Sequence, residues 1–333
     1  MSTSDNLILR AFPRGRIDDT TFETVSEAVP APAAGEVTVA NRLVSIDPTM
    51  RVWLDDERTY MERLTPGQVM RAIAIGEVEA SCAPELPVGT RVLGLTGCRT
   101  RATVAASSLQ ALPDIGPLPL EAHFGLLGHI GMTAWCGLTE IGQLKAGETL
   151  VVSAAAGAVG SLAVQVGKLL GCRVIGIAGG RDNVRYLRDT LGIDDAIDYR
   201  SEDVSARLGA LCPSGIDVYF DNVGGAILEA ALEHMALFGR IVACGMISAY
   251  NREAVAAPRN LLNIVTRRLR MEGFVILDPR HDGAAAYRAL LEWAAAGRIQ
   301  YRVHAFDGLE HIPEAINTLF DGSHHGKVVV RVG

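Results

Sequence analysis

The stretch from Glu148 to Gly180, E-T-L-V-V-S-A-A-A-G-A-V-G-S-L-A-V-Q-V-G-K-L-L-G-C-R-V-I-G-I-A-G-G, leaves few folds open to this chain. Thr149 to Ser153 is a short apolar run with β-branched residues, which reads as a strand. Ala155, Gly157 and Gly160 then fill the frame of a dinucleotide fingerprint, with alanine at the first glycine position. Val159, Leu162, Ala163, Val166, Leu169 and Leu170 recur at helical spacing. Gly171 closes that helix, and Arg173 to Ala178 reads as a second strand. Small residues suit a turn this tight, because the backbone must approach a pyrophosphate. The helix N-terminus, from Gly157 through Ala158 and Val159 to Gly160, offers that anion unpaired N–H groups and a positive dipole end. Strand, turn, helix and strand together point to a bound dinucleotide rather than to a cofactor-free α/β core.

The end of the second strand bears on which dinucleotide. NAD sites place a carboxylate about 20 residues past the turn, on the ribose 2′-hydroxyl. Here the strand ends Ala178-Gly179-Gly180-Arg181, with no acid to repel a phosphate and an arginine directly after. That favours NADP(H), with Gly179, Gly180 and Arg181 as cofactor-binding candidates and Arg185 able to assist. The competing reading makes both arginines solvated faces of the next helix. Asp182 fits a helix first turn, where the dipole favours an acid.

At 333 residues with a formal charge of −7, the chain has room for two domains and no basic surface for nucleic acid or an anionic membrane. The apolar run at the start is too short for a signal peptide, and no segment reaches the ~18 apolar residues of a membrane span. A cytoplasmic protein is expected. The cysteines, at 82, 98, 136, 172, 212 and 244, form no C-x-x-C pair. Cys172 and Cys244 read as buried small apolar residues, and the histidines form no recognisable ligand set, so no metal is expected.

Residues 1 to about 115 read as short strands punctuated by Gly and Pro, at 37–44, 69–78 and 90–95. Leu120 to Ile141 reads as one helix. Strands are then expected at 150–153, 173–178, 195–198, 216–221, 240–244 and 271–276. Helices are expected between and after them at 158–170, 182–191, 203–211, 225–236, 259–269 and 282–296. That alternation is a doubly wound parallel sheet. The final residues return to strands at 301–306 and 327–332, with a helix near 311–320, and rejoin the first domain. The fold class is α/β: a Rossmann doubly wound parallel sheet over 121–297, plus a β-rich domain from 1–120 and 298–333.

Several motifs along the chain resemble one family. They are Asp47-Pro48-x-Met50-Arg51, Gly131-Met132-Thr133-Ala134, the turn ending at Gly160, and Gly176-Ile177-Ala178-Gly179. Further on come Asp221-Asn222-Val223-Gly224-Gly225, Cys244-Gly245-x-Ile247-Ser248-x-Tyr250-Asn251 and Arg270-Met271-Glu272-Gly273-Phe274. The chain resembles the zinc-independent medium-chain dehydrogenase/reductases, in the branch of the leukotriene B4 dehydrogenases, prostaglandin reductases and alkenal double-bond reductases. The resemblance implies a GroES-like catalytic domain beside the Rossmann domain, and homodimers joined through the edges of two Rossmann sheets. It also implies an NADPH-dependent reductase of the C=C bond in α,β-unsaturated ketones or aldehydes. A quinone reductase and a non-catalytic NADP-binding sensor or structural protein stand as alternatives.

The same resemblance supplies roles. Tyr250 would lie near the nicotinamide and the substrate carbonyl, as catalytic donor to the oxygen that becomes an enolate; the nicotinamide ribose hydroxyl is the rival for that work. Met132, Thr133, Asn222, Gly245, Ile247, Ser248, Phe274 and Val275 would line the cofactor, and Tyr199 would lie against the 2′-phosphate. Tyr60, Thr49, Trp135 and Tyr250 would face the substrate. The chain also departs from the family: Thr49 and Trp135 stand where members carry Tyr, and Cys98 where Trp is frequent. Asn183 replaces a lysine that reaches the 2′-phosphate, and His324 replaces an asparagine near the cofactor. Most of these changes fall where the family's substrate pocket lies.

Overall fold

The computed structural model describes residues 2–55, 61–251 and 257–333. The chain divides into two compact units, one from its start to Glu121 with Val303–His324 and Val328–Gly333, the other Ala122–Arg302 with His325–Lys327. The first segment contributes β1 (Thr3–Leu9), β2 (Phe22–Ala28), β3 (Glu36–Ile46), the short α1 (Thr49–Val52), β4 (Ala74–Ser81), β5 (Arg91–Gly94), β6 (Arg101–Ala105) and β7 (Leu109–Ala111). β1 and β2 form an antiparallel ribbon. β3 is buried along nearly its whole length because it feeds two cores. Val37 and Val39 pack with Val78 and Val92, while Val44 and Ile46 pack with Leu9, Met50 and Leu54. The strand expected at 69–78 begins only at Ala74, because Val69 bridges Ile8 and Met70 donates to the Leu7 carbonyl at 2.8 Å.

The second unit alternates strands and helices. It holds α2 (His129–Cys136), β8 (Thr149–Ser153), α3 (Ala158–Leu169), β9 (Arg173–Ala178), α4 (Arg181–Arg185), β10 (Asp195–Asp198), α5 (Val204–Leu211) and β11 (Ile216–Asp221). Beyond them come α6 (Gly225–Glu233), β12 (Met235–Ala243), α7 (Leu262–Thr266), β13 (Arg270–Gly273) and α8 (Gly283–Ala295). Among the described residues the sheet is six-stranded and parallel, in the order β10-β9-β8-β11-β12-β13. The order reverses between β8 and β11, and in such sheets ligands bind outside the carboxyl ends of the strands at that point. Val151, Ile175, Ile177 and Tyr219 fill one face, each fully buried.

Several elements differ from the sequence pattern. Leu120 to Ile141 is not one helix: a single turn at Leu120–His123 is followed by α2, which ends in a wider π-helical turn at Gly137–Ile141. Glycines let the chain fold back here. A Cβ on Gly128 would lie 2.0 Å from the His123 carbonyl oxygen, and one on Gly131 would lie 1.9 Å from that of Leu126. β12 begins at Met235 rather than 240, through an irregularity at Phe238, whose φ is 62°. α7 is five residues long because Arg268 turns left-handed (φ 50°), and β13 ends at Gly273.

The last segment adds β14 (Val303–Asp307), α9 (Ile312–Asp321) and β15 (Lys327–Arg331). Among the described residues they complete a seven-stranded sheet ordered β14-β15-β3-β4-β5-β7, with β6 also on β3. The chain leaves the parallel unit at Val303 rather than 298. Gln300 exchanges hydrogen bonds with Gln165 at 2.7 and 2.8 Å, and the Arg302 guanidinium lies 3.3 Å over the Tyr186 ring, so both stay with α3 and α4. No helix among the described residues is long and apolar enough to cross a membrane.

Candidate cofactor and active site

The loop from β8 to α3 has a geometry that could hold an anion. Ala154 turns left-handed (φ 46°), a conformation that costs a non-glycine residue about 1–2 kcal/mol. Its carbonyl accepts the Gly157 N–H at 3.0 Å. Gly157 is extended, so the chain enters α3 at Ala158 with its first N–H groups pointing outward from the turn. A Cβ on Gly160 would sit 2.2 Å from the Ala154 carbonyl oxygen. Gly157 also bridges Gly326, which folds beside the turn. Gly157, Ala158 and Val159 are partly exposed. The cradle therefore fits a pyrophosphate through backbone donors alone.

Asp221 anchors the neighbouring turn. Its Oδ1 accepts from the Tyr219 hydroxyl (3.0 Å), the Ser153 hydroxyl (3.1 Å), Val223 N–H (3.0 Å) and Gly224 N–H (2.9 Å). Burial raises its carboxyl above the ordinary range, against the pull of those donors. Asn222 is held by two bonds to Ser153, its N–H to Oγ at 2.9 Å and its amide to the carbonyl at 2.7 Å. The ends of β8 and β11 are thus tied together where the strand order reverses.

A second corner forms at the ends of β9 and β10. Gly180 (φ 89°) donates its N–H to Asp198 at 2.8 Å. Asp198 also accepts from Arg200 N–H (3.0 Å) and Ser201 Oγ (3.0 Å), so this acid is spent on the loop. Burial alone would raise it, but these bonds and the Arg200 charge hold it below the ordinary carboxylate range. A Cβ on Gly179 would meet the Tyr199 ring at 2.8 Å and Arg200 Nε at 2.9 Å, so both side chains lie across the glycine pair. Tyr199 is 45% exposed, with the Arg200 guanidinium 6.0 Å from its ring centre. The Asn183 amide donates to the Gly179 carbonyl at 2.9 Å, which makes it a backbone brace. Arg181 is exposed at the start of α4, and Arg185 pairs with Asp182 at 3.8 Å. Arg200 escaped the sequence reading; the signal was its place directly after Tyr199 at a strand end.

The third group follows β12 and β13. Ile247 N–H donates to the Asn222 carbonyl and Ser248 N–H to that of Val223, each at 3.2 Å, which pins the Gly245–Tyr250 loop onto the Asp221 turn. Ser248 Oγ adds a 2.6 Å bond to the Val223 carbonyl. The Tyr250 hydroxyl accepts the Met246 N–H at 3.1 Å and lies 3.3 Å from where a Cβ on Gly245 would stand. Phe274 is buried after β13, and its ring edge fills the space over Gly137; Val275 beside it is half-buried. In α2, the Thr133 hydroxyl donates to the His129 carbonyl at 2.6 Å, Met132 is half-buried near Gly283, and Trp135 packs against Trp293 at 5.3 Å.

Two candidates belong to the first unit. Thr49 opens α1, and His324 pairs its Nδ1 with the Thr318 carbonyl at 2.9 Å. Tyr60 lies outside the described residues. The six cysteines are free thiols. Cys172 is buried; Cys244 is half-buried as a residue, but burial of its thiol, then Asp221, pushes it up to about 12. One finding runs against the expectation that no ligand set exists: Cys136, Glu140 and His281 bring a sulfur, a carboxylate oxygen and an imidazole nitrogen within 4.8 Å of one another.

Comparison with known proteins agrees with this architecture. Residues 6–112 match the family model described as the N-terminal domain of oxidoreductase, and residues 158–296 match the one described as zinc-binding dehydrogenase. The NADP(+)-dependent 2-alkenal reductase of Nicotiana tabacum is 37% identical over 99% of this chain and 98% of its own. The NADPH-dependent curcumin reductase of Escherichia coli is 36% identical over 98% of this chain and 96% of its own. The crystal structure of CurA from Vibrio vulnificus in complex with NADPH is 37% identical, covers 99% of both chains and superposes with a TM-score of 0.93. With glycine turn, parallel sheet and β-rich unit all matched along the whole length, the chain belongs to the medium-chain dehydrogenase/reductase family, beside the alkenal and curcumin reductases.

Proposed function

We propose that the protein uses NADPH to reduce the C=C bond of α,β-unsaturated ketones or aldehydes. The observation that carries this reading is the Tyr250 phenol, bonded through its oxygen to the Met246 N–H on the loop beside the strand-order reversal. Accepting that bond polarises the hydroxyl and strengthens it as a donor. Bound NADPH supplies the hydride. As the β-carbon receives it, negative charge grows on the carbonyl oxygen, and a donor already in place stabilises that state more than the ground state. Asn222, Ile247 and Ser248 hold the donor loop to the Asp221 turn, so the phenol is positioned before substrate arrives. The test is a single-turnover reaction of the NADPH-loaded protein with small enones. The saturated ketone is the expected product; an allylic alcohol, or no oxidation of NADPH by any enone, would overturn the reading.

Preference for NADPH follows from the Gly179-Gly180 corner. Asp198 is committed to the loop, Asn183 to the backbone, and Arg200 with Tyr199 lies over the glycines. We assign the 2′-phosphate to Arg200, with Arg181 directly after Gly180. A charge-assisted contact is worth about 1.5–3 kcal/mol, so Arg200→Ala should weaken NADPH binding about ten- to a hundredfold. NADH binding should change less than about twofold. Titration of both cofactors checks this; equal losses would place Arg200 in the fold rather than in selectivity.

The edge of the parallel sheet suggests the assembly. β13 pairs with β12 on one side and, among the described residues, ends the sheet on the other. Around it stand Leu262 (70% exposed), Val265 (69%), Phe238 (64%) and Met271 (42%). An open edge with exposed apolar side chains is a template for pairing, and a twofold axis closes it with a second copy. Sedimentation should show a dimer, and Val265→Asp should shift it toward monomer. A parent protein that sediments as a monomer would exclude this interface.

A further inference from the structure

Cys136 ends α2, and Glu140 lies four residues on, in the turn that continues it, so the two share one side of the helix. His281 comes from the segment between β13 and α8. Its Nδ1 lies 2.6 Å from Glu140 Oε2, while the Asp282 N–H donates to Oε1 at 3.0 Å. The imidazole is 2% exposed and the Glu140 side chain 30%. His281 Nε2 has no hydrogen-bond partner among the described residues, so Nδ1 is the nitrogen turned to the cluster.

A hydrogen bond between them accounts for Glu140 and His281 alone. It does not call for a buried thiol as a third neighbour. One thiol, one imidazole and one carboxylate make the borderline-soft donor set that zinc takes, and unlike magnesium, zinc accepts sulfur. We propose that Cys136, Glu140 and His281 form a zinc-binding site, with water completing the coordination on the exposed side of Glu140.

The distances can be reconciled with a tetrahedral ion. Zinc bonds of about 2.0–2.3 Å set neighbouring donor atoms about 3.3–3.7 Å apart. The His281–Glu140 contact must therefore open from 2.6 Å, and the sulfur must draw in from within 4.8 Å. Both are side-chain rotations, and Glu140 reaches solvent, which gives the ion a way in. Without metal, burial and then the Glu140 charge push the Cys136 thiol up to about 12. Burial would also raise Glu140, but the bonds from His281, Asp282 and Cys136 hold it below its ordinary range. The hydrogen-bonded cluster is thus the metal-free form. On binding, the thiol proton leaves to solvent, the Nδ1 proton that faces the carboxylate passes to Nε2 by tautomer exchange, and the cation takes the place of the donors on the carboxylate.

The experiment reads metal binding and makes no use of reductase activity, so it stands apart from the proposed reaction. The full-length protein is stripped with a chelator and titrated with zinc by calorimetry, then with cobalt(II), whose thiolate charge-transfer absorption reports sulfur coordination. The expected result is one equivalent of zinc per chain and a cobalt–thiolate band, with no competition from magnesium. Cys136→Ser should abolish the band and weaken zinc at least about tenfold, and His281→Gln should weaken zinc as much. Circular dichroism confirms that each variant folds, and the two report independently. Absence of saturable zinc binding, or equal binding by the parent and both variants, would overturn the site.

Discussion

Phenylalanine in place of Tyr250 is expected to slow hydride transfer to a saturating enone by about ten- to a thousandfold, the upper end being the usual cost of deleting one oxyanion donor. NADPH affinity should stay within about twofold of the parent, since the ring remains and the site is half-exposed. The Met246 N–H that loses its phenolic acceptor can turn to water, so the fold loses little. Single-turnover stopped flow separates the chemical step from product release. A transfer rate close to that of the parent would hand the donor role to the nicotinamide ribose hydroxyl or to a bound water.

Alanine at position 160 is expected to weaken NADPH binding at least about a hundredfold, close to 2.7 kcal/mol. The added Cβ would stand 2.2 Å from the Ala154 carbonyl oxygen and 2.8 Å from the Ala155 Cα. Both are backbone atoms, so no side chain can rotate away. Either the turn opens or α3 shifts, and each moves the first-turn N–H groups away from the place proposed for the pyrophosphate. The strain also destabilises the parallel unit, by about 1–3 kcal/mol if the helix can adjust. Fluorescence titration with NADPH measures the affinity, and thermal melting checks that the variant is folded. Near-normal affinity in a folded variant would mean that α3 does not hold the phosphates.

The glycine turn was legible because its requirements are local. A tight strand–helix turn needs small residues at fixed offsets, and Leu162, Ala163 and Val166 carry the helical period next to it. The β1–β2 ribbon was not anticipated, because β2, F-E-T-V-S-E-A, is largely exposed and carries no apolar alternation. The short β6 and β7 gave no pattern of their own either. The break inside 120–141 escaped because glycine inside an apolar run reads as a tolerated weakness. Here Gly128 and Gly131 mark a backbone that folds against itself. At the site, Gly179 and Gly180 could be read as lacking a ribose acid. That Arg200 lies across them could not, because it depends on how β10 ends beside β9. His281 stands 141 residues from Glu140, and no spacing rule joins residues that only the packing of α8 against α2 brings together.

The strand order β10-β9-β8-β11-β12-β13 also bears on how such a protein can change over time. The Gly179-Gly180 corner with Arg200 sits at one flank of the sheet, and the Tyr250 loop and Phe274 at the other, with β8 and β11 between them. No hydrogen bond described above joins the two flanks directly: the glycine corner is tied to Asp198 at the end of β10, and the Tyr250 loop to the Asp221 turn. With Arg200 on the 2′-phosphate and Tyr250 as donor, as proposed, a lineage could exchange one nucleotide currency for another by altering Gly180, Asn183 and Arg200, and leave the reacting end untouched. It could equally take up a new substrate through Tyr250 and its neighbours without renegotiating its coenzyme. The two proposed traits can vary separately within one sheet.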